Sequence, residues 1–174
     1  MLKVRNYVLL AFLAGVVLAA DQITKYLVRT RLVLGEIWMP IPAIRPYLQI
    51  VYSTNTGAAF SLFQQGGLVF AILAVLVSAG IIYYYRNAAN VGWLVRIALG
   101  LQLGGALGNL TDRLTHKMMV ADFIRFTFFP AVFNVADGAI SLGVALLLLD
   151  AVLEYLRERR IQAAQSVVVP PPAA

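Results

Sequence analysis

Four long apolar runs separate polar stretches along the chain, at about residues 7–28, 68–85, 93–110 and 135–156. A helix needs about 17–25 such residues to cross a hydrocarbon layer roughly 30 Å thick, so the pattern predicts four membrane-spanning helices. The first run follows Lys3 and Arg5 and ends in L-A-A before Asp21, which imitates a cleavable secretory signal. Helical spacing continues through D-Q-I-T-K-Y-L-V, and an uncleaved first helix is the expectation. The second and third runs are joined by R-N-A-A-N-V-G and form an antiparallel hairpin. The connection between the first two carries Pro40, Pro42 and Pro46, which break helices. Behind them, P-Y-L-Q-I-V-Y-S-T is rich in β-branched and aromatic residues and reads as strand. A second long connection, about residues 111–134, reads as loop. Residues 161–174, ending V-V-V-P-P-P-A-A, read as an unstructured tail behind a single membrane-embedded domain of residues 1–160.

Composition agrees with this pattern. The chain is 61% hydrophobic and 13% charged, too few charges for an ordinary soluble domain of 174 residues. Its net charge of +6 does not argue for nucleic-acid binding, because the basic residues flank apolar runs and form no contiguous patch; such flanks meet lipid head groups. The chain has no cysteine and one histidine, His116, which removes thiol chemistry and multi-histidine metal sites. No metal and no cofactor is expected. The basic residues divide seven to seven between the two sides of the four spans, so their count does not set the orientation. Short termini and a short hairpin loop on one side favour that side as cytoplasmic.

The polar residues within and beside the runs converge. Asp21 and Lys25 lie at the far end of the first run, Asn109, Asp112 and Arg113 at the far end of the third, and Asn134 and Asp137 at the near end of the fourth. Asn55 and Asp122 lie in the two long connections. On an antiparallel four-helix topology all of them reach the membrane face away from the termini, and such convergence marks a site. Asp150 falls roughly 20 Å along its helix from Asp137, at 1.5 Å per residue, and is excluded. Asp21 and Lys25 are four apart and share a helix face on which they can pair. Asp112 and Arg113 are adjacent and face different neighbours. Gly100, Gly104 and Gly108 form a stripe for close helix packing. Asp137 at a helix start has an N-terminal cap as its plainest reading, and Asp122 that of a solvated loop acid. The alternative is that the two share a site: one carboxyl then stays protonated while the other acts as a base.

The motifs D-Q-I-T-K, N-T-G-A-A-F, G-G-A-L-G-N-L-T-D-R, V-A-D-F and F-N-V-A-D occur in that order. Together they resemble the lipoprotein signal peptidase family, also called signal peptidase II, over nearly the whole chain. The resemblance implies an aspartyl endopeptidase of the bacterial inner membrane, with a small β-sheet and a short helix in the first long loop. Its fold would be an α-helical bundle of four transmembrane helices with the β-sheet and loop subdomain on the periplasmic side and both termini cytoplasmic. Such enzymes cleave diacylglyceryl-modified prolipoproteins before the lipidated cysteine, and relatives are blocked by globomycin. The resemblance makes Asp122 and Asp137 the catalytic dyad. It makes Asn55, Gly57, Asn109, Arg113 and Asn134 residues that line or support the substrate site, with Asp21, Lys25 and Asp112 held nearby. The expected partners are prolipoprotein substrates and membrane lipid, with no nucleic acid. A small transporter or a purely structural membrane protein is the competing class. The first usually shows repeats and broken helices at mid-membrane, whereas here the polar groups gather at one end.

Overall fold

The computed structural model describes residues 2–56, 66–86 and 91–168. Gly57 and the tail end, residues 169–174, lie outside the described residues. Four long helices carry the chain: α1 (Leu2–Arg31), α2 (Gly67–Arg86), α3 (Trp93–Thr115) and α4 (Val135–Val168). Three of them contain segments long and apolar enough to cross a membrane, Tyr7–Arg31, Gly67–Arg86 and Val135–Ala163. The fourth expected span, α3, has the length, at 23 residues, but glycines, amides and charges dilute its apolar character. The reason is its position. α3 packs against α1, α2 and α4, so most of its surface meets protein rather than surroundings, and 11 of its side chains or glycines are buried. α4 outruns the expected span, and helix covers residues 161–168 of the stretch expected to be a tail.

The glycines of α3 set the distances. A Cβ on Gly104 would stand 2.7 Å from the Ala14 carbonyl oxygen of α1. One on Gly100 would meet the Leu13 side chain at 2.7 Å, and one on Gly108 an Asp21 carboxylate oxygen at 2.6 Å. Gly105 faces the other way, 2.5 Å from the Ala136 carbonyl oxygen of α4. Successive residues of one helix thus let two neighbours approach to backbone contact. Towards the α2–α3 connection this packing encloses an apolar core of Leu10, Ala14, Ile81, Tyr85, Leu99 and Leu103.

At the opposite end sits a four-stranded antiparallel sheet in the order β1-β2-β3-β4: β1 (Ile37–Trp38), β2 (Leu48–Asn55), β3 (Val120–Phe126) and β4 (Val132–Phe133). A 3-10 turn, Pro42–Ile44, joins the first two strands. Residues 111–134, expected as loop, instead extend α3 to Thr115 and then form β3 and β4. Asp122 is therefore a strand residue rather than a loop acid. It lies opposite Ser53 of β2, beside an irregularity in pairing between Ile50 and Ser53. The partner strand is distant in sequence, so nothing local in V-A-D-F-I-R-F announces the pairing.

Gly104→Ala and Gly105→Ala are expected to destabilise the purified protein by about 1–3 kcal/mol through overpacking. Gly80→Ala, where a Cβ would meet nothing within 4 Å, is expected to be neutral or stabilising by up to about 1 kcal/mol. Thermal unfolding in detergent micelles distinguishes the two outcomes.

Candidate active site

Lys25 is fully buried. An ammonium carries three N–H donors, and Lys25 meets three acceptors: Asp21 Oδ2 at 2.8 Å, Asn109 Oδ1 at 3.0 Å and Asp112 Oδ2 at 3.3 Å. Asp21 and Asp112 are themselves fully buried. Asp112 also takes Arg29 Nη2 at 2.7 Å and the Ala121 backbone N–H at 2.9 Å, which fixes the start of β3 to α3. Asp21 takes the Ala136 N–H at 2.9 Å, which fixes the first turn of α4 to α1. Gln22 bridges between, donating to Asp21, Asp112 and the Gly108 carbonyl. Two carboxylates and two cations thus hold three helices and the sheet in one register.

The cluster orients an amide chain. Lys25 can only donate, so it draws Asn109 Oδ1 and turns the Asn109 amide N–H towards Asp137, whose Oδ1 accepts at 2.8 Å. Asn134 stands at the start of α4. Its Oδ1 accepts from the Asp137 N–H at 2.9 Å, while Asp137 Oδ2 accepts from the Asn134 N–H at 3.1 Å, a reciprocal cap of two orphan donors. The Asn134 amide N–H then donates to Asp122 Oδ1 at 2.7 Å and to Asn109 Oδ1 at 3.1 Å. Asn55 of β2 donates to Asp122 Oδ2 at 3.2 Å. Asp122 and Asp137 are therefore joined through two shared amides, Asn109 and Asn134.

Both aspartates open onto one cavity of about 430 Å³, also lined by Asn55, Asn109, Arg113, Phe70 of α2 and Phe133 of β4. Arg113 lies with its guanidinium 5.5 Å from the Phe70 ring centre and donates to the Asn109 carbonyl at 3.3 Å. Burial pushes the Asp122 carboxyl up to about 7. The charge of Asp137 adds to the rise, and the Asn134 and Asn55 hydrogen bonds and the Lys25 charge oppose it. Two acids at one cavity, one titrating near neutrality, can supply a base and an acid to the same bound molecule. Among the described residues no group of three His, Cys, Asp or Glu side chains could hold a metal ion.

Of the residues singled out from sequence, Asn55, Asn109, Arg113, Asp122 and Asp137 line the cavity. Asn134 stands one hydrogen bond behind it, and Asp21, Lys25 and Asp112 form the support. Asp150 lies at the other end of the bundle, its Oδ1 3.6 Å from where a Cβ of Gly92 would stand. Sequence reasoning missed Gln22 and Arg29 in the support and Gln102 in the cavity wall. Arg29 continues the four-residue spacing Asp21, Lys25, Arg29, a signal that was present. For Gln102 the available signal was an amide inside an apolar glycine-rich run.

The sequence model described as Signal peptidase (SPase) II matches residues 13–153. A lipoprotein signal peptidase of Desulfitobacterium hafniense is 41% identical over 148 residues, 85% of this chain and 95% of that one. One from Symbiobacterium thermophilum is 43% identical over 145 residues, 81% and 92% of the two chains. Two solved structures, each described as a bacterial membrane enzyme, superpose with TM-scores of 0.76 and 0.71 at 29% and 30% identity. They cover 84% and 82% of this chain and 88% and 91% of their own.

Lys25→Met is expected to cost about 3–5 kcal/mol of stability, because it leaves Asp21 buried without a cation. Adding Asp21→Asn to the same chain should recover part of the loss, and a thermal-unfolding double-mutant cycle reads the coupling.

Proposed function

The chain belongs to the signal peptidase II family, aspartic peptidases that remove signal peptides from lipoproteins, and from that premise we propose that Asp122 and Asp137 are its catalytic dyad. The observation that carries the assignment is their convergence on one cavity through the shared amides of Asn109 and Asn134. Asp137 acts as the base that takes a proton from water. Asp122 holds the shared proton in the free enzyme and gives it to the scissile carbonyl oxygen as the tetrahedral intermediate forms. As the C–N bond breaks, Asp137 gives the proton it took from water to the leaving amine, and Asp122 recovers its own from a hydroxyl of the intermediate, which becomes the product carboxyl. Titration belongs to the pair, and the elevated pKa of Asp122 keeps one proton on it up to neutral pH.

The other residues have supporting parts in this reading. Asn109 and Asn134 aim the two carboxyls. Asn55 and Arg113 hold backbone groups of the peptide around the cleaved bond. Asp21, Lys25 and Asp112 keep the amides oriented. Gly57 joins the set on the family motif alone. The substrate is a diacylglyceryl-modified prolipoprotein, cleaved before the lipidated cysteine, and globomycin occupies the same cavity.

We further propose a single membrane-embedded domain with four spanning helices in the bacterial inner membrane. α3 is the fourth, able to span because its neighbours cover its polar and glycine positions. Both termini are cytoplasmic and the sheet lies at the periplasmic surface. This arrangement suits the substrate, whose acyl chains stay in the outer leaflet and whose cleaved bond therefore lies near that surface. Apolar helix faces meet the acyl chains and surrounding lipid.

Asp122→Asn and Asp137→Asn are each expected to abolish cleavage of a diacylglyceryl-modified precursor by purified protein while leaving it folded. Near-normal turnover by either variant would refute the dyad. In the wild type, kcat/KM should fall about tenfold per pH unit above pH 7, as Asp122 loses the proton it must donate. A profile flat to pH 9 would remove Asp122 from the role of acid.

A further inference from the structure

The cavity continues past the aspartates as a groove between α2 and α4, floored by α3. Its α2 wall is one helical face, Phe70, Leu73, Ala74 and Val77. At the depth of Val77 the lining is apolar except for two side chains, Gln102 on α3 and Ser141 on α4. The Gln102 amide nitrogen is buried and has no hydrogen-bond partner among the described residues. Leaving such a donor unmade costs about 1–3 kcal/mol, more than an ordinary apolar residue there would cost. Gly143 makes room for it: a Cβ at that position would stand 2.7 Å from Gln102 Cγ and 3.4 Å from the amide nitrogen. The nitrogen is turned towards Gly143 while the residue lines the groove, so a half-turn of the carboxamide presents this unpartnered donor to a bound molecule.

We propose that Gln102 is a positioning residue for the signal peptide, its amide donating to a backbone carbonyl upstream of the cleaved bond. The inference rests on the peptidase reading of the cavity. A peptide must leave the helical state to be cleaved, because a helix hides its carbonyls in internal hydrogen bonds. Every carbonyl so freed inside an apolar groove needs a donor. Gln102 lies seven positions before Asn109 on α3, roughly 10 Å along the axis at 1.5 Å per residue. An extended strand covers that distance in about three residues at 3.3 Å each. The carbonyl that meets Gln102 therefore belongs to the residue about three positions before the cleaved bond. The deep end of the groove takes the signal-peptide side, which remains within the apolar layer. Gln102 thereby fixes how far the peptide advances before the dyad acts on it.

The test uses purified full-length enzyme, a lipidated precursor peptide and the same peptide with one amide replaced by an ester. The ester weakens the acceptor carbonyl three residues upstream of the cleaved bond. Gln102→Met keeps the length of the side chain without its donor, and Gln102→Leu serves if the first variant does not fold. Either variant should raise KM for the amide peptide about tenfold, the effect of one lost hydrogen bond, with kcat changed less than twofold. The melting temperature should stay equal or rise, because the unmade donor is gone. Wild type should lose about tenfold on the ester peptide, whereas the variants should not lose further. Full kcat/KM in both variants overturns the inference. Equal ester penalties in wild type and variants overturn it as well. Wild-type cleavage of the amide peptide in the same series keeps either failure separate from a failure of the peptidase reading.

Discussion

A fully buried lysine is the constraint on which the structure turns. Lys25 must spend all three of its N–H groups inside the protein, and the acceptors come from α1 and α3. The second oxygen of Asp21 reaches the first turn of α4, and the Asp112 oxygen that meets Lys25 also accepts from the start of β3. One buried charge therefore dictates where three helices and the sheet stand relative to each other. Small displacements would leave an ion unpaired, a cost of several kcal/mol, so the register is strongly held. The catalytic aspartates proposed here are placed by elements whose positions this cluster sets.

The glycines of α3 make the cluster reachable. Gly108 lies against the Asp21 carboxylate, and Gly104 and Gly105 bring α1 and α4 to backbone contact on two sides. A larger residue at Gly108 would push Asp21 off its partners. Low apolar character in α3, its central location and its short distances to neighbours have one origin. A helix enclosed by others can carry Asn109, Asp112 and Arg113 because protein, not hydrocarbon, meets them. The ends of the bundle then divide the work: the apolar core around Tyr85 and Leu103 lies at one end, and the ion cluster and cavity lie at the other.

Much of this was legible in the sequence because it is local. Apolar periodicity located four helices, with starts within a few residues for α2, α3 and α4. Asp21 and Lys25 could be paired from their spacing alone. What escaped was long-range. β3 was hidden because Asp122 interrupts its apolar run and its partner strand is some 70 residues away. The turn before it carries no glycine or proline to mark it; instead Lys117 and Met118 adopt positive φ of 52° and 63°, a conformation few such residues take. Arg29 was counted among membrane-flanking cations, although it closes the ion cluster on Asp112. No local pattern could assign the amide relay, since its members come from α1, β2, α3, β3 and the start of α4.

The relay also explains why asparagines stand between the lysine and the acids. An ammonium in direct contact with either aspartate would hold that carboxyl ionised, and the proton-sharing pair proposed above would lose its acid. Interposed amides pass on orientation while keeping the charge at a distance. The balance at Asp122 reflects this. Lys25 is the weakest of the influences on it, and burial together with the Asp137 charge prevails, up to about 7. Asn109 is fixed by Lys25 on one side and offers a neutral donor to Asp137 on the other. Asn134 does the same between the helix start and Asp122. A neutral donor tolerates either protonation state of its partner better than a cation does, so the two carboxyls stay aligned in both.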